Sequence, residues 1–346
     1  MVQEGGMMYK NEGYMAGANL GHWISQYGKK SHEHFSAYIT ESDIRRISGW
    51  GMDHVRLPVD YFLFEDDANP GIYREDGLVY IDLCVGWCEK HKLNLVLDLH
   101  HAPGFFFGDG ARNNLFTDRT MQLRYIAIWK FFAMRYSGIK NNVTFELLNE
   151  LVLPEGSDAW NRLWQETAAE IHSADPDRNI IIGGNFYNSV SELKNLVVSE
   201  NPHIWYTFHF YHPMIFTHQR AGWMENTRRY RIPVDYPVDT SLHAEFYNGH
   251  IPESEKGVLD KNYLSRMLQP AFDFIKSNKR PLYCGEYGVI SDAPSESTVR
   301  WLNDLADLLL GYGIGRAVWS YRGFSRITDS DNNVTSSALV DSVSRL

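Results

Sequence analysis

Short apolar runs alternate with longer amphipathic stretches from one end of the chain to the other. Met15–Leu20, His54–Val59, Leu93–His100, Val143–Asn149, Asn179–Gly184, Ile204–Phe210, Pro281–Gly285 and Gly315–Ser320 are dominated by aliphatic and aromatic residues. Several lack polar alternation, as parallel strands covered on both faces do. Between them, Thr40–Gly49, Ile81–Lys92, Met121–Tyr136, Ala159–Ala174, Leu264–Lys276 and Thr298–Leu310 repeat apolar residues at three- and four-residue steps, so each predicts a helix. Thr40-x-x-Asp43 resembles a capping box, and Gly311 and Gly313 supply a stop after the last helix.

Eight strands alternating with helices predict an α/β chain folded as one (β/α)8 TIM barrel over residues 1–346. No Gly-x-Gly-x-x-Gly follows the first strand, which disfavours a dinucleotide-binding sheet. One spacing is out of pattern. Residues 212–260, between strand 6 and helix 6, carry Trp223, Tyr230, Tyr236, Phe246 and Tyr247 among prolines and charges. A plain loop of that length is rare, so a small inserted subdomain over the barrel mouth is expected.

Composition narrows the function classes. Hydrophobic residues make up 44% and charged residues 22%, enough for a large core. A formal charge of −10 with no basic stripe argues against nucleic acid as a partner. No apolar run approaches the ~20 residues that cross a bilayer. The opening MVQEGGMMYKNEGYMAG has no basic segment followed by an apolar one, so a soluble chain is expected, cytoplasmic as written and secreted if a leader has been removed. Cys84, Cys88 and Cys284 have neither disulfide nor zinc spacing and are read as buried thiols. Oligomeric state is not legible.

In a β/α barrel the reactive groups stand at the carboxyl ends of the strands. Here those ends read His54-Val-Arg56, Asp98-Leu-His100-His101, Asn149-Glu150, His209-Phe-Tyr211-His212, Cys284-Gly-Glu286-Tyr287 and Val318-Trp319. Polar groups crowd one end of otherwise apolar strands. Two carboxylates, Glu150 and Glu286, come from strands on opposite sides of the ring. Glycosidic bond cleavage needs such a pair, one to protonate the leaving oxygen and one to attack or activate water. Glu146, four residues before Glu150, is expected ~13 Å deeper in the barrel and structural, and Asp98 is read the same way. His101 is expected to point away from the site. Asn19 and Trp23 are open between lining the cleft and a structural role.

The segments GANLGHW, HVRLPVDY, LVLDLHHAPG, FELLNE, FHFYHP, YCGEYG and AVWSY, in this order and spacing, resemble family 5 glycoside hydrolases, and in particular their compact bacterial endo-β-1,4-glucanases. That resemblance, which extends to ISQY, HFSAYITESDI and YNSVSELKNL, implies a retaining mechanism without a cofactor or metal. It implies Glu150 as acid/base and Glu286 as nucleophile, with a β-glucan oligo- or polysaccharide as substrate. Arg56 and Tyr211 would flank Glu286, Asn149 would bind a 2-hydroxyl, His100 and His209 would bind sugar hydroxyls, Trp319 would form a platform, and Asn19 would support the site. β-Mannanase and exo-acting β-glucosidase remain alternatives within the family. A metal-dependent barrel hydrolase using the strand-end histidines is one rival from another class, although His32-Glu-His34 is expected in a loop, and a catalytically silent carbohydrate-binding barrel is a second, although neither glutamate is lost. Gly21-His22 and His212 depart from the family's usual residues.

Overall fold

The first strand, β1 (Ala16–Asn19), pairs in parallel with β2 (His54–Asp60), and the ring continues through β3 (Asn94–His101), β4 (Val143–Glu146), β5 (Ile180–Gly183), β6 (Ile204–Phe210), β7 (Leu282–Tyr287) and β8 (Gly315–Val318), which closes back on β1. The computed structural model describes residues 9–28, 31–106, 113–139, 143–154, 156–325, 327–329 and 331–346. Part of the opening segment read for a leader lies outside them. The fold is a closed eight-stranded parallel barrel with helices outside, and the strands are buried along nearly their whole length. No helix among the described residues is long and apolar enough to cross a membrane.

The helices are α1 (His32–Tyr38), α2 (Glu41–Gly49), α3 (Glu75–His91), α4 (Arg119–Arg135), α5 (Asp158–Ala174), α6 (Lys261–Met267), α7 (Gln269–Asn278), α8 (Ser295–Leu310) and α9 (Ser337–Val343), besides shorter turns. The Thr40–Asp43 box forms, with the Thr40 amide donating to Asp43 Oδ2 at 2.8 Å. Three expectations need correction. His32 and His34 lie on α1, not in a loop, and His34 Nε2 bonds the carbonyls of His22 and Trp23. Helix α3 begins six residues before Ile81 because Gly77 lets its first turn press on Leu63, whose carbonyl would lie 2.1 Å from any Cβ there. The run Leu264–Lys276 is two helices, α6 and α7, meeting at Leu268, where Pro270 opens the second.

Residues 212–260 hold the short helices Met214–Thr217 and Glu225–Arg229 and a two-stranded antiparallel ladder pairing Val238 with Leu259. The segment is tied to α8. Ser297 Oγ donates to Asp235, Arg300 Nε to the Tyr236 carbonyl, and Tyr236 Oη to Asp304. The flanks dock on the same helix, His212 through its carbonyl on Trp301 Nε1 and Lys261, the first residue after the segment, through Asp307.

Candidate active site

Arg56 organises the carboxyl end of the barrel. It rises from the middle of β2, fully buried, opposite Asn19 in register. Its Nε and Nη2 reach the two oxygens of Glu146 at 2.7 and 2.9 Å, and Nη2 also meets Asp98 Oδ2 and Asn149 Oδ1, both at 3.0 Å. Its Nη1 donates to Glu286 Oε1 and to Asn19 Oδ1, both at 2.9 Å. Burial opposes its charge, but the carboxylates of Asp98, Glu146 and Glu286 more than reverse this and hold it protonated. Those carboxyls are in turn raised. Burial lifts Asp98 and Glu146 to about 7, with Arg56 pulling the other way.

Glu286 and Glu150 stand above this floor. Glu286 sits near the end of β7, and a register irregularity after Phe208 sets His209 of β6 opposite it. Tyr211 Oη donates to Glu286 Oε2 at 2.9 Å. Burial drives Glu286 up to about 7 against the pull of Arg56 and Tyr211. Glu150 is raised further, by burial first and by the neighbouring Glu286 charge second, with only Arg56 opposing from a distance. Among the described residues its one hydrogen bond is to His209 Nδ1, at 2.7 Å. The same nitrogen is 3.6 Å from Glu286 Oε2, and reactive atoms of Glu150, His209 and Glu286 all lie within 4.8 Å of one another. A proton shared by the two glutamates therefore resides on Glu150, and Glu286 carries the charge.

Such a trio also has the spacing of a metal site. The charge balance speaks against that use, since Glu286 is already compensated by a guanidinium at 2.9 Å.

The remaining expected residues fall as follows. His100 is buried, bonds Asp98 Oδ2 through Nδ1 at 2.8 Å and meets Asn149 Nδ2 through Nε2 at 3.4 Å. Trp319 stacks on the His100 ring with centroids 5.7 Å apart and lies over Gly21, where a Cβ would come within 3.1 Å of it. His101 turns away to Asp60 at 2.6 Å. Asn19 spends its amide nitrogen on the carbonyls of Gly285, Ala317 and Val318 and its oxygen on Arg56, so it braces the floor and does not line the cleft. Trp23 is a core residue, bonded to the Phe35 carbonyl and stacked on Trp87.

Glu146 is not remote. Strand β4 ends at Glu146, and Glu150 adopts a left-handed φ of 37°, so the extended rise behind the ~13 Å expectation does not hold past Glu146. One guanidinium links Glu146 to Glu286. The link was unreadable because Arg56 and Glu146 are 90 positions apart. Asn188 lies buried against His209, and although it falls within YNSVSELKNL nothing in that segment signals a contact 21 positions away.

A sequence profile for Cellulase (glycosyl hydrolase family 5) matches residues 17–325. Endoglucanase C of Acetivibrio thermocellus is 45% identical over 338 residues, covering 96% of this chain and 98% of its own length. Cellodextrinase A of Ruminococcus flavefaciens is 32% identical, covering 89% and 86%. Among solved structures, endoglucanase Cel5A from the hyperthermophilic Thermotoga maritima superposes with a TM-score of 0.79 at 23% identity, over 96% of this chain and 98% of that one. With a profile match over most of its length and a barrel end built around two unlike glutamates, the chain belongs to glycosyl hydrolase family 5.

Proposed function

We propose that this protein is a retaining endo-acting β-1,4-glucanase in which Glu286 is the nucleophile and Glu150 the acid/base. The observation that carries the reading is the pairing of two buried glutamates with unlike partners, their reactive atoms within 4.8 Å. Inverting enzymes need a wider gap to admit water, whereas retaining ones keep their carboxyls ~5–5.5 Å apart.

In the first step Glu286 attacks the anomeric carbon, while the Glu150 proton passes to the glycosidic oxygen as that bond breaks. A glycosyl ester on Glu286 and a free sugar end result. Esterification removes the Glu286 charge, and with it one cause of Glu150's raised proton affinity. Glu150, now ionised, takes a proton from water, whose oxygen attacks the anomeric carbon and restores Glu286. Arg56 and Tyr211 orient Glu286. Asn149 and His100 face the cleaved sugar and Trp319 forms its platform. His209 serves Glu150 directly, which replaces the hydroxyl-binding role expected of it.

Substrate class follows the relatives, two of which are named endoglucanase and cellodextrinase. Cellulose-type and mixed-linkage β-glucans are the substrates proposed, and residues 212–260 are taken as part of the one catalytic domain. The test is to incubate the protein and its Glu150→Gln and Glu286→Gln variants with cellohexaose, mannohexaose and barley β-glucan, following product length and early anomeric configuration. Mid-length products of retained β-configuration from the glucans, with both variants depressed ~10³-fold or more, are expected. Near-full rate in either variant removes that glutamate's role. Single-sugar release from chain ends would replace internal cutting by exo-action, and preference for mannohexaose would replace the substrate.

A further inference from the structure

The chain leaves β5 through Gly184 and Asn185 and then places three successive non-glycine residues in the left-handed region, Phe186, Tyr187 and Asn188, at φ values of 45°, 60° and 53°. Left-handed backbone costs an ordinary residue ~1–2 kcal/mol, so three in a row persist only where their surroundings dictate it. The surroundings here are the two sides of the proposed acid/base. Asn185 Oδ1 accepts from the amides of Leu153 and Phe186, its Nδ2 donates to the Leu153 carbonyl, and the Tyr187 amide donates to the carbonyl of Leu151, next after Glu150. On the other side Ser189 forms a parallel bridge with His209.

The turn drives Asn188 inward. It is fully buried, and its amide fills space that exists only because residue 183 is glycine, since a Cβ there would fall 2.2 Å from Asn188 Oδ1. That oxygen has no hydrogen-bond partner. The nitrogen does: Asn188 Nδ2 lies 3.3 Å from His209 Nε2. In a neutral imidazole the hydrogen bond made by one nitrogen decides which of the two carries the proton. With Nε2 accepting, the proton is on Nδ1, between Glu150 at 2.7 Å and Glu286 at 3.6 Å.

We propose that Asn188 is a positioning residue for the acid/base, fixing the Nδ1–H tautomer of His209 so that ionised Glu150 always has a hydrogen-bond donor. The inference rests on the assignment of Glu150 above. It assigns the turn a task in the second half of the reaction, when Glu150 must be an anion and accept a proton from water. In the opposite tautomer the Nδ1 lone pair would confront both carboxylates. Buried His209 is held neutral, first by desolvation and then by the charge of Arg56. The charged and titratable groups around Glu150 are Glu286, Arg56, Asp98 and Tyr211 from other strands and Glu146 from its own, and none of them donates to it directly among the described residues. His209 is therefore its one donor among the described residues.

The test uses Asn188→Leu, which keeps bulk and removes the amide, on an aryl cellobioside with a dinitrophenolate leaving group, whose departure needs no proton. Turnover is then set by deglycosylation. A fall of about tenfold in kcat is expected, with recovery on adding azide, a nucleophile that needs no general base. The basic limb of kcat/KM for cellohexaose should move up by about half a pH unit or more, because a hydrogen bond to the charged form has been lost. Unchanged kcat, or a fall that azide does not relieve, overturns the proposal. Glu150→Ala is the control. If azide fails to rescue that variant, the acid/base assignment itself is wrong, whereas rescue of Glu150→Ala with no effect at Asn188 rejects only the present inference. Should Asn188→Leu not fold, ring ¹⁵N shifts of His209 in the wild-type protein, assigned with His209→Gln, decide: protonated Nδ1 supports the proposal and protonated Nε2 overturns it.

Discussion

Glu146 and Glu150 come from one strand and its extension, both are buried, and both have proton affinities raised by that burial. Their partners differ. Glu146 has both oxygens on a permanent cation, Arg56, within a floor that also gathers Asp98, Asn149 and Asn19. Glu150 has one bond to a neutral ring and stands beside another carboxylate. Depth of burial therefore does not separate a bracing carboxylate from a reacting one. A guanidinium that cannot lose its proton draws its partner towards the ionised state, while a neutral imidazole supplies no such charge and leaves its partner free to exchange a proton. The floor is tied together by one fixed cation, and the rim is built to change.

Removing the cation of the floor should have the largest effect. Arg56→Met leaves Asp98, Glu146 and Glu286 without their common partner, and a loss of roughly 3–5 kcal/mol in denaturant unfolding is expected, together with activity. An unchanged midpoint would mean the floor carries no net charge to compensate. The rim should respond in the opposite sense. Glu150 binds its proton more tightly folded than at the ordinary 4.5, so wild-type stability is fullest below 4.5 and is lost as pH rises through the raised folded value. Glu150→Gln removes that loss. It should melt higher than wild type at pH 8, with the advantage shrinking towards pH 4.5. A variant that melts lower at pH 8 would show that Glu150 braces the structure after all.

A finer probe joins the two decks. Glu146→Gln keeps shape but removes a negative charge whose field raises Glu286. The acid limb of kcat/KM, which reports ionisation of the nucleophile, should stand above 4.5 in wild type and drop by about half a pH unit in the variant. A limb that stays in place would mean the decks are electrically separate. The smallest effect is expected at His101. His101→Asn should change kcat/KM by less than about twofold, whereas His100→Asn, which touches Asn149 and Trp319, should lose about 10²-fold on the same β-glucan assay.

Much of this was readable from the chain because it is local. Each barrel strand announces itself as an apolar run, and Glu150 and Glu286 are found by asking which carboxylates end such runs. What escaped is non-local or unmarked. The start of α3 was missed because Gly77, a residue that weakens helices, is there to admit the Leu63 carbonyl, a contact between separate segments. The α6–α7 break was hidden by apolar periodicity running through Pro270. The four-residue spacing of Glu146 and Glu150 misled because strand geometry stops between them. Phe186-Tyr187-Asn188 contains no glycine to betray its left-handed course, so Asn188 was invisible as a neighbour of His209.

The docking of residues 212–260 bears on how barrels of this kind can be recombined. Ser297, Arg300, Asp304 and Asp307 are spaced three, four and three apart, so they form one stripe along α8, and that stripe grips the inserted segment while the helix's other face is sunk in the barrel wall. The segment behaves as a plug whose socket is a helix encoded some forty residues downstream. Grafted alone onto another barrel, it would arrive without its mate. Exchange between relatives should succeed only when plug and socket travel together as a two-part cassette.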